Sequence, residues 1–74
     1  MNYTYQIRED KASIEDNEEI IVYGIDAIDE NNHIIMSIPN IFVKKAKAIN
    51  LANICNRGKL SYIHLIDVIE DFLE

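Results

Sequence analysis

The stretch Glu19–Ile28, EIIVYGIDAI, decides the fold because it is apolar on both of its faces. The side chains of a strand alternate between its two faces. One face of this stretch then carries Ile21, Tyr23, Ile25 and Ala27, which we expect to point toward a core. The opposite face carries Ile20, Val22 and Ile28. A strand that is apolar on both faces is usually the central strand of its sheet. Within it, Gly24 predicts a bulge or a close approach of another backbone segment.

Two weaker strands are predicted on either side of this one. Residues 3–8 alternate between apolar and polar side chains, which is typical of a half-buried strand. The polar residues 9–18 predict a long excursion out of the sheet, with Ile14 as their only large apolar side chain. After a tight polar turn at residues 29–32, residues 33–38 predict the third strand.

The pattern then changes to helical spacing. Pro39 lacks an N–H group and Asn40 is a good helix N-cap, so we expect these two residues to end the sheet. Apolar residues at helical spacing predict a first helix over residues 41–56, with Cys55 on its apolar stripe. Gly58 is expected to end this helix in the left-handed conformation.

The second helix has the clearest amphipathic pattern in the chain, with Ser61 as its predicted N-cap. Because only about four residues connect the helices, we expect them to be antiparallel neighbours. The sequence therefore predicts an α+β fold. It consists of a three-stranded antiparallel β-meander followed by an antiparallel two-helix hairpin packed on one face of the sheet (β-β-β-α-α), in a single domain over residues 1–74.

Composition limits the class of protein. The 74 residues, 49% of them hydrophobic, suit one small globular domain. The one cysteine excludes an intramolecular disulfide. The first residues lack a signal-peptide pattern, and no apolar run approaches the roughly 18–20 residues that cross a bilayer. These features predict a cytoplasmic protein with a reduced thiol and no membrane contact.

Charge is unevenly distributed around a formal net charge of −6. Residues 39–59 carry five basic and no acidic side chains, whereas the segments on both sides are acidic. In an antiparallel hairpin, the basic start of the first helix would lie beside the acidic end of the second. We therefore expect weakly stabilising pairs between two sets of side chains: Lys44, Lys45 and Lys47 with Glu70, Asp71 and Glu74.

Candidate catalytic and metal-binding residues are few, and each has a structural interpretation that we favour. His64 and Asp67 could form an acid–base pair, but a solvated helix face explains them as well. Cys55 could be a nucleophile, although its place on the apolar stripe indicates a core residue. Cys55, His33 and His64 could together ligate zinc, but no close pair of ligands anchors such a site. We therefore predict no enzyme, no cofactor and no metal.

Two further kinds of site can be weighed from charge. The acidic and amide side chains of residues 29–32 lack the spacing of a calcium loop and indicate a turn instead. The basic segment could contact phosphates, but the acidic remainder of the chain opposes nucleic-acid binding. Conversely, the acidic side chains could mimic a nucleic-acid backbone and inhibit a DNA-processing enzyme.

The chain resembles a family of small uncharacterised proteins from clostridia and related Gram-positive bacteria, whose function is unknown. The resemblance is carried by Val22-Tyr23-Gly24-Ile25, Cys55-Asn56-Arg57, Leu60-Ser61, His64-Leu65 and Asp67-Val68-Ile69-Glu70-Asp71-Phe72-Leu73. The family pattern often has Pro at the position of Tyr62, and Ser or Thr followed by Asp at the positions of Pro39 and Asn40. The resemblance implies a bacterial source. It implies no activity, so no site residues follow from it.

An interaction surface is the remaining prediction. Two helices can cover one face of a three-stranded sheet but not both, and large exposed apolar patches usually mark interfaces. The side chains expected on the uncovered face are Ile20, Val22, Ile28 and Ile35. We therefore predict a non-enzymatic protein-interaction or regulatory module that associates with itself, as a homodimer, or with a protein partner. A nucleic-acid-linked regulator, including an acidic mimic, is the alternative.

Overall fold

A computed structural model describes residues 3–73 as a three-stranded antiparallel sheet in the order β1-β2-β3. The strands are β1 (Thr4–Ser13), β2 (Glu19–Ile28) and β3 (Ile34–Phe42). The helices α1 (Lys45–Arg57) and α2 (Leu65–Leu73) follow, and a 3₁₀ turn at Tyr62–His64 leads into α2. The predicted α+β fold and the central place of β2 are therefore confirmed.

The first strand is longer than predicted, and the expected excursion over residues 9–18 is wrong. β1 pairs with β2 without interruption from Thr4 opposite Ile28 to Ser13 opposite Glu19. Only residues 14–18 form the turn, and there the Ile14 N–H donates to the Glu18 carbonyl at 3.1 Å. The polar composition misled the prediction because this part of the ribbon is exposed and needs no apolar face.

The turn itself depends on residues that tolerate left-handed backbone. Asp16 and Asn17 have φ angles of 47° and 67°. Asp and Asn adopt this conformation more readily than most residues, because their short polar side chains can hydrogen-bond locally. The sequence signal for a tight hairpin was therefore present in these two residues.

The third strand does not stop at Pro39 and Asn40, which corrects a second prediction. β3 bulges there: Ile38 lies opposite Ile25, whereas Phe42 lies opposite Tyr23. Asn40 has a left-handed φ of 60° rather than the extended conformation of an N-cap. Pairing Phe42 with β2 brings its ring into the core, where it is 7% exposed.

Gly24 makes this bulge possible, as its position in the strand predicted. A Cβ atom built on Gly24 would lie only 2.7 Å from the Cα atom of Pro39. Ordinary van der Waals contact between carbon atoms needs about 3.5–4.0 Å. The backbone of β3 can therefore cross β2 at this point only because residue 24 has no side chain.

The first helix starts and ends later than predicted. Lys44 precedes its first turn and makes no side-chain cap hydrogen bond. Gly58 has a φ of −83°, and Lys59 after it takes the left-handed conformation with a φ of 50°. The expected left-handed Gly58 is therefore wrong. The predicted apolar stripe is confirmed in the buried residues of α1: Ala48, Leu51, Ala52 and Cys55.

The core lies between the helices and one face of the sheet. Its fully buried side chains include Ile25 from β2, Leu51 from α1 and Leu65 from α2. Two edge-to-face aromatic pairs close its ends: Tyr3 with Tyr62 at 5.3 Å, and Phe42 with Phe72 at 5.7 Å between ring centroids. Ser61 takes the predicted N-cap position, before the 3₁₀ turn that leads into α2, but it makes no side-chain cap hydrogen bond.

Asn56 joins the end of α1 to the outer edge of β1. Its side-chain amide accepts a hydrogen bond from the Tyr5 N–H at 2.7 Å and donates one to the Tyr5 carbonyl at 2.9 Å. The Asn56 side chain thereby satisfies the two backbone groups of Tyr5 that a neighbouring strand would otherwise pair. The Tyr5 hydroxyl donates to the Leu60 carbonyl at 2.5 Å, and burial raises the pKa of Tyr5 to about 12.

The helices cover only part of the sheet. Lys45, the first residue of α1, forms an ion pair with Glu9 at 3.4 Å, and the ladder between β2 and β3 ends at Tyr23. Residues 10–22 therefore extend beyond the helices and beyond β3 as a two-stranded ribbon, here called the overhang. The overhang contributes to an elongated shape, 45 Å long and 18 Å thick.

The ion pair between Lys45 and Glu9 also corrects the expected charge pairing. Within residues 3–73, no lysine of the first helix pairs with an acidic side chain of α2, and Glu74 lies outside the described residues. Over the same range, no helix is long and apolar enough to span a bilayer.

Candidate functional site

The uncovered face of the sheet carries a charged network at its centre. Arg8 forms two hydrogen bonds with the carboxylate of Asp10, at 2.8 and 3.1 Å, and lies 3.4 Å from that of Asp26. Ser37 donates to Asp26 at 2.5 Å, and Asp26 is only 5% exposed. The hydrogen bond from Arg8 lowers the pKa of Asp10. Sequence reasoning missed this network because its members lie on three strands.

The four predicted interface residues lie around this network, but they are not equally accessible. Ile20 and Ile28 are half-buried, and Ile35 is 37% exposed. Val22 was expected to be exposed and is 4% exposed instead. On this face Val22 is the strand partner of Asp10 and a diagonal neighbour of Arg8. The two residues of the ion pair are therefore its neighbours. The continuous apolar patch predicted for this face is therefore interrupted by charge.

On the helix-facing side of the sheet, one side chain that was expected to be buried is exposed. Ile21 shares that side with Ile25, as the alternation predicted, yet it is 47% exposed. It lies in the overhang, past the first turn of α1. The alternation correctly assigned its face, but no helix reaches far enough to cover it.

An apolar groove of about 350 Å³ lies where β3 leads into α1. Its exposed apolar side chains are Val43 (67% exposed) and Leu73 (55% exposed), the latter from the end of α2. Lys44 and Lys47 also line it, so the groove combines an apolar surface with positive charge. The groove, as named here, is lined by Asn40, Ile41, Phe42, Val43, Lys44, Lys47 and Leu73.

The turn at the end of the overhang, residues 14–18, has the complementary chemistry and is here called the tip. Ile14 is 54% exposed there. The exposed acidic side chains of the tip are Glu15, Asp16 and Glu18. The neighbouring acidic residue Glu19 lies 4.0 Å from Lys11 on the opposite strand. The tip is therefore an acidic projection with one accessible apolar side chain.

The reactive side chains considered from the sequence lie apart from one another. Cys55 is 1% exposed in the core, and burial raises the pKa of its thiol. His64 is exposed in the 3₁₀ turn, and His33 is exposed beside the turn that joins β2 to β3. Among residues 3–73, no three His, Cys, Asp or Glu side chains are grouped as a metal site would require.

The polar segment at residues 29–32 is a turn, as predicted. The Asp29 carboxylate accepts hydrogen bonds from the backbone N–H groups of Asn31 and His33, both at 2.9 Å. The bond from His33 is the main reason why the pKa of Asp29 is lowered. The carboxylate is thus used to hold the turn.

Comparison with known proteins assigns the chain to a family. Residues 1–74 match the model of a family described as "Family of unknown function (DUF6514)". The match covers the whole chain, so the protein belongs to this family. No curated protein and no solved structure matches the chain.

Proposed function

We propose that this member of the family is a small non-enzymatic interaction module that acts in the cytoplasm by contacting protein surfaces. The proposal depends chiefly on one observation, the apolar groove between the start of α1 and the end of α2. Val43 and Leu73 are more than half exposed there. Exposed apolar surface that is bordered by charged side chains is typical of a protein interaction site.

The polar groups near the core support a binding role over a catalytic one. The Asp26 carboxylate is engaged by Arg8 and Ser37, and the Cys55 thiol lies in the core. The Asn56 side chain is hydrogen-bonded to the backbone of Tyr5 at the edge of β1. These groups already have structural roles that explain their positions.

The groove is a better candidate interface than the uncovered sheet face. On that face Val22 is buried and Arg8 and Asp10 form an ion pair, so association would have to bring charged groups into the interface. Burying an ion pair costs free energy. Lys44 and Lys47 of the groove are exposed and can stay in contact with solvent at its rim. Ile20, Ile28 and Ile35 remain a smaller apolar set, and their role in an interface stays a prediction.

A nucleic-acid-linked regulator is the second candidate, because the acidic tip projects from the sheet. Glu15, Asp16 and Glu18 could occupy a basic site that normally holds phosphates. Such a complex would weaken steeply as salt is raised, whereas apolar association would tolerate salt.

The test compares the wild type with a groove variant and a sheet-face variant. Val43→Asp combined with Leu73→Asp places two carboxylates in the groove, and Ile35→Asp is the matched substitution on the other face. Each purified protein is used to capture proteins from the source cell, and its own mass in solution is measured by sedimentation equilibrium. Circular dichroism establishes that all three are folded.

We expect the wild type and Ile35→Asp to retain a protein, either a second copy or another chain, that the groove variant loses. Retention at about 0.5 M salt, where charges are screened within roughly 4–5 Å, would support the apolar mode. Loss on raising salt of a complex that the groove variant also forms would favour the nucleic-acid-linked alternative. A wild type that retains nothing, or a groove variant that retains as much as the wild type, would contradict the proposal.

A further inference from the structure

The groove and the tip are complementary features of the same chain. The groove offers exposed apolar side chains beside Lys44 and Lys47. The tip offers Ile14, 54% exposed, among acidic side chains. An apolar residue flanked by negative charge fits an apolar groove flanked by positive charge, and such complementarity directs association.

We propose that the groove binds the tip of a second copy of this chain in a twofold-symmetric dimer. The inference rests on the proposed interaction function and names the partner of the groove. Ile14 of one copy would enter the groove of the other, while Glu15 and Glu18 would approach Lys44 and Lys47. A dimer of this kind contains two equal tip–groove contacts.

A copy cannot place its tip in its own groove. The ion pair between Lys45 and Glu9 shows that the start of α1 lies beside the base of the overhang. The ladder between β1 and β2 then continues unbroken to Ser13, which carries the tip away from the helices. At about 3.3–3.4 Å per strand residue, five residues separate Glu9 from Ile14 by roughly 17 Å.

The same separation suits a twofold axis. An axis that crosses the overhang between the groove and the tip places two overhangs antiparallel to each other. The tip of each copy then reaches the start of α1 in the other. The contact is closed, so it produces a dimer rather than a filament.

Ile21 supplies an independent reason to expect a cover over the overhang. It lies opposite Lys11, between Glu9 and the tip, on the side of the sheet that the helices occupy farther along. With 47% of its surface exposed, it is a large apolar side chain near the middle of the proposed interface. A two-stranded ribbon is only marginally stable in water unless something packs on it, and the second copy would do so.

Reversal of charge tests this arrangement in solution. The tip variant carries Glu15→Lys and Glu18→Lys, and the groove variant carries Lys44→Glu and Lys47→Glu. A third protein carries all four substitutions, and Glu30→Lys, at the opposite end of the sheet, is the control. Sedimentation equilibrium measures the dimer dissociation constant of each at low salt.

We expect the tip and groove variants each to dimerise about tenfold or more weakly than the wild type, because each places like charges together. The four-substitution protein should recover dimerisation. An equimolar mixture of the two variants should form a heterodimer, because both of its tip–groove contacts then pair opposite charges. Glu30→Lys should dimerise like the wild type.

The groove variant has a further use. Acidic side chains at the start of α1 favour the helix dipole, so its monomer should be no less stable than the wild type. Weaker dimerisation therefore cannot be attributed to unfolding.

Two results would overturn the tip–groove dimer. One is a wild type that remains monomeric at the highest concentration reached. The other is a dimer that both charge reversals leave unchanged. If the wild type is monomeric and the variant with Val43→Asp and Leu73→Asp loses a captured protein that the wild type retains, the groove serves a different partner and the proposed interaction function survives.

Discussion

The covered part of the β1–β2 ribbon and the overhang have the same strand geometry but different environments. Ile25 and Ile21 lie four residues apart on the same side of β2, and the first is fully buried while the second is 47% exposed. Lys45 pairs with Glu9 at the boundary between the two parts. The comparison teaches that strand alternation assigns a side chain to a face, whereas burial depends on how far the helices extend over that face.

Ile25→Ala and Ile21→Ala test this comparison directly and give the largest expected difference. Removing a fully buried isoleucine side chain should lower the free energy of unfolding by about 2–5 kcal/mol, which is enough to unfold many small domains. The matched change at Ile21 should cost no more than about 1 kcal/mol. Urea denaturation at low protein concentration measures both. Equal losses would mean that the overhang is covered within one chain.

Gly24 lies at the boundary, where β3 leaves the ribbon. Gly24→Ala should destabilise the protein by about 1–3 kcal/mol, because the added Cβ would press on the backbone at Pro39. Gly58→Ala is the control, since its Cβ would lie 3.5 Å from the nearest atom and its φ is −83°. That change should be neutral or stabilise by about 0.4–1 kcal/mol. Thermal denaturation of both variants measures these changes in stability. If Gly24→Ala is as stable as the wild type, the backbone of β3 does not cross β2 closely at this residue.

Asn56 stabilises the covered part from the edge of β1. Asn56→Ala removes both hydrogen bonds to the Tyr5 backbone and should cost about 1–2 kcal/mol. Asn53→Ala, at an exposed position of the same helix, should change stability by only a few tenths of a kcal/mol. Hydrogen exchange at the Tyr5 amide should accelerate in the first variant and not in the second. Unchanged exchange in Asn56→Ala would show that the edge does not depend on this side chain.

The turn at residues 29–32 lies at the end of the sheet opposite the overhang and gives the smallest expected effect. The pKa of Asp29 is lowered in the folded protein, so its contribution is present above the ordinary aspartate pKa of about 4. That contribution is lost as the pH falls through the lower folded value. Asp29→Asn keeps an oxygen acceptor but does not titrate. Between pH 5 and pH 2.5, its urea midpoint should therefore fall less than that of the wild type, and an equal fall would contradict the assignment.

The candidate interface was only partly predictable. The sequence indicated that apolar side chains would remain exposed, but it placed them on the uncovered sheet face. The structure also exposes Val43, which lies between the end of β3 at Phe42 and the start of α1 at Lys45, and Leu73 at the end of α2. The late start of the helix follows from the bulge at Asn40, and the Gly24 signal did not specify where along β3 that bulge would lie.

The sequence by itself determined the central strand and the order of the elements. Apolar side chains on both faces identified Glu19–Ile28 as the central strand. Helical spacing of apolar residues identified the buried stripe of α1 and the amphipathic second helix. These signals are local, because each is set by how one segment divides its apolar and polar side chains between its faces.

Only the tertiary structure decided how far β1 extends, how β3 continues through Pro39, and why Val22 is buried while Ile21 is not. The length of β1 and the path of β3 depend on hydrogen bonds to β2. Such pairing can hold a polar segment, or a segment that contains proline, in a strand. The third depends on how far α1 extends over Ile21 and on the side chains beside Val22 on the other face, where Asp10 is its strand partner. Contacts between segments determine all three, and the pattern within one segment does not contain them.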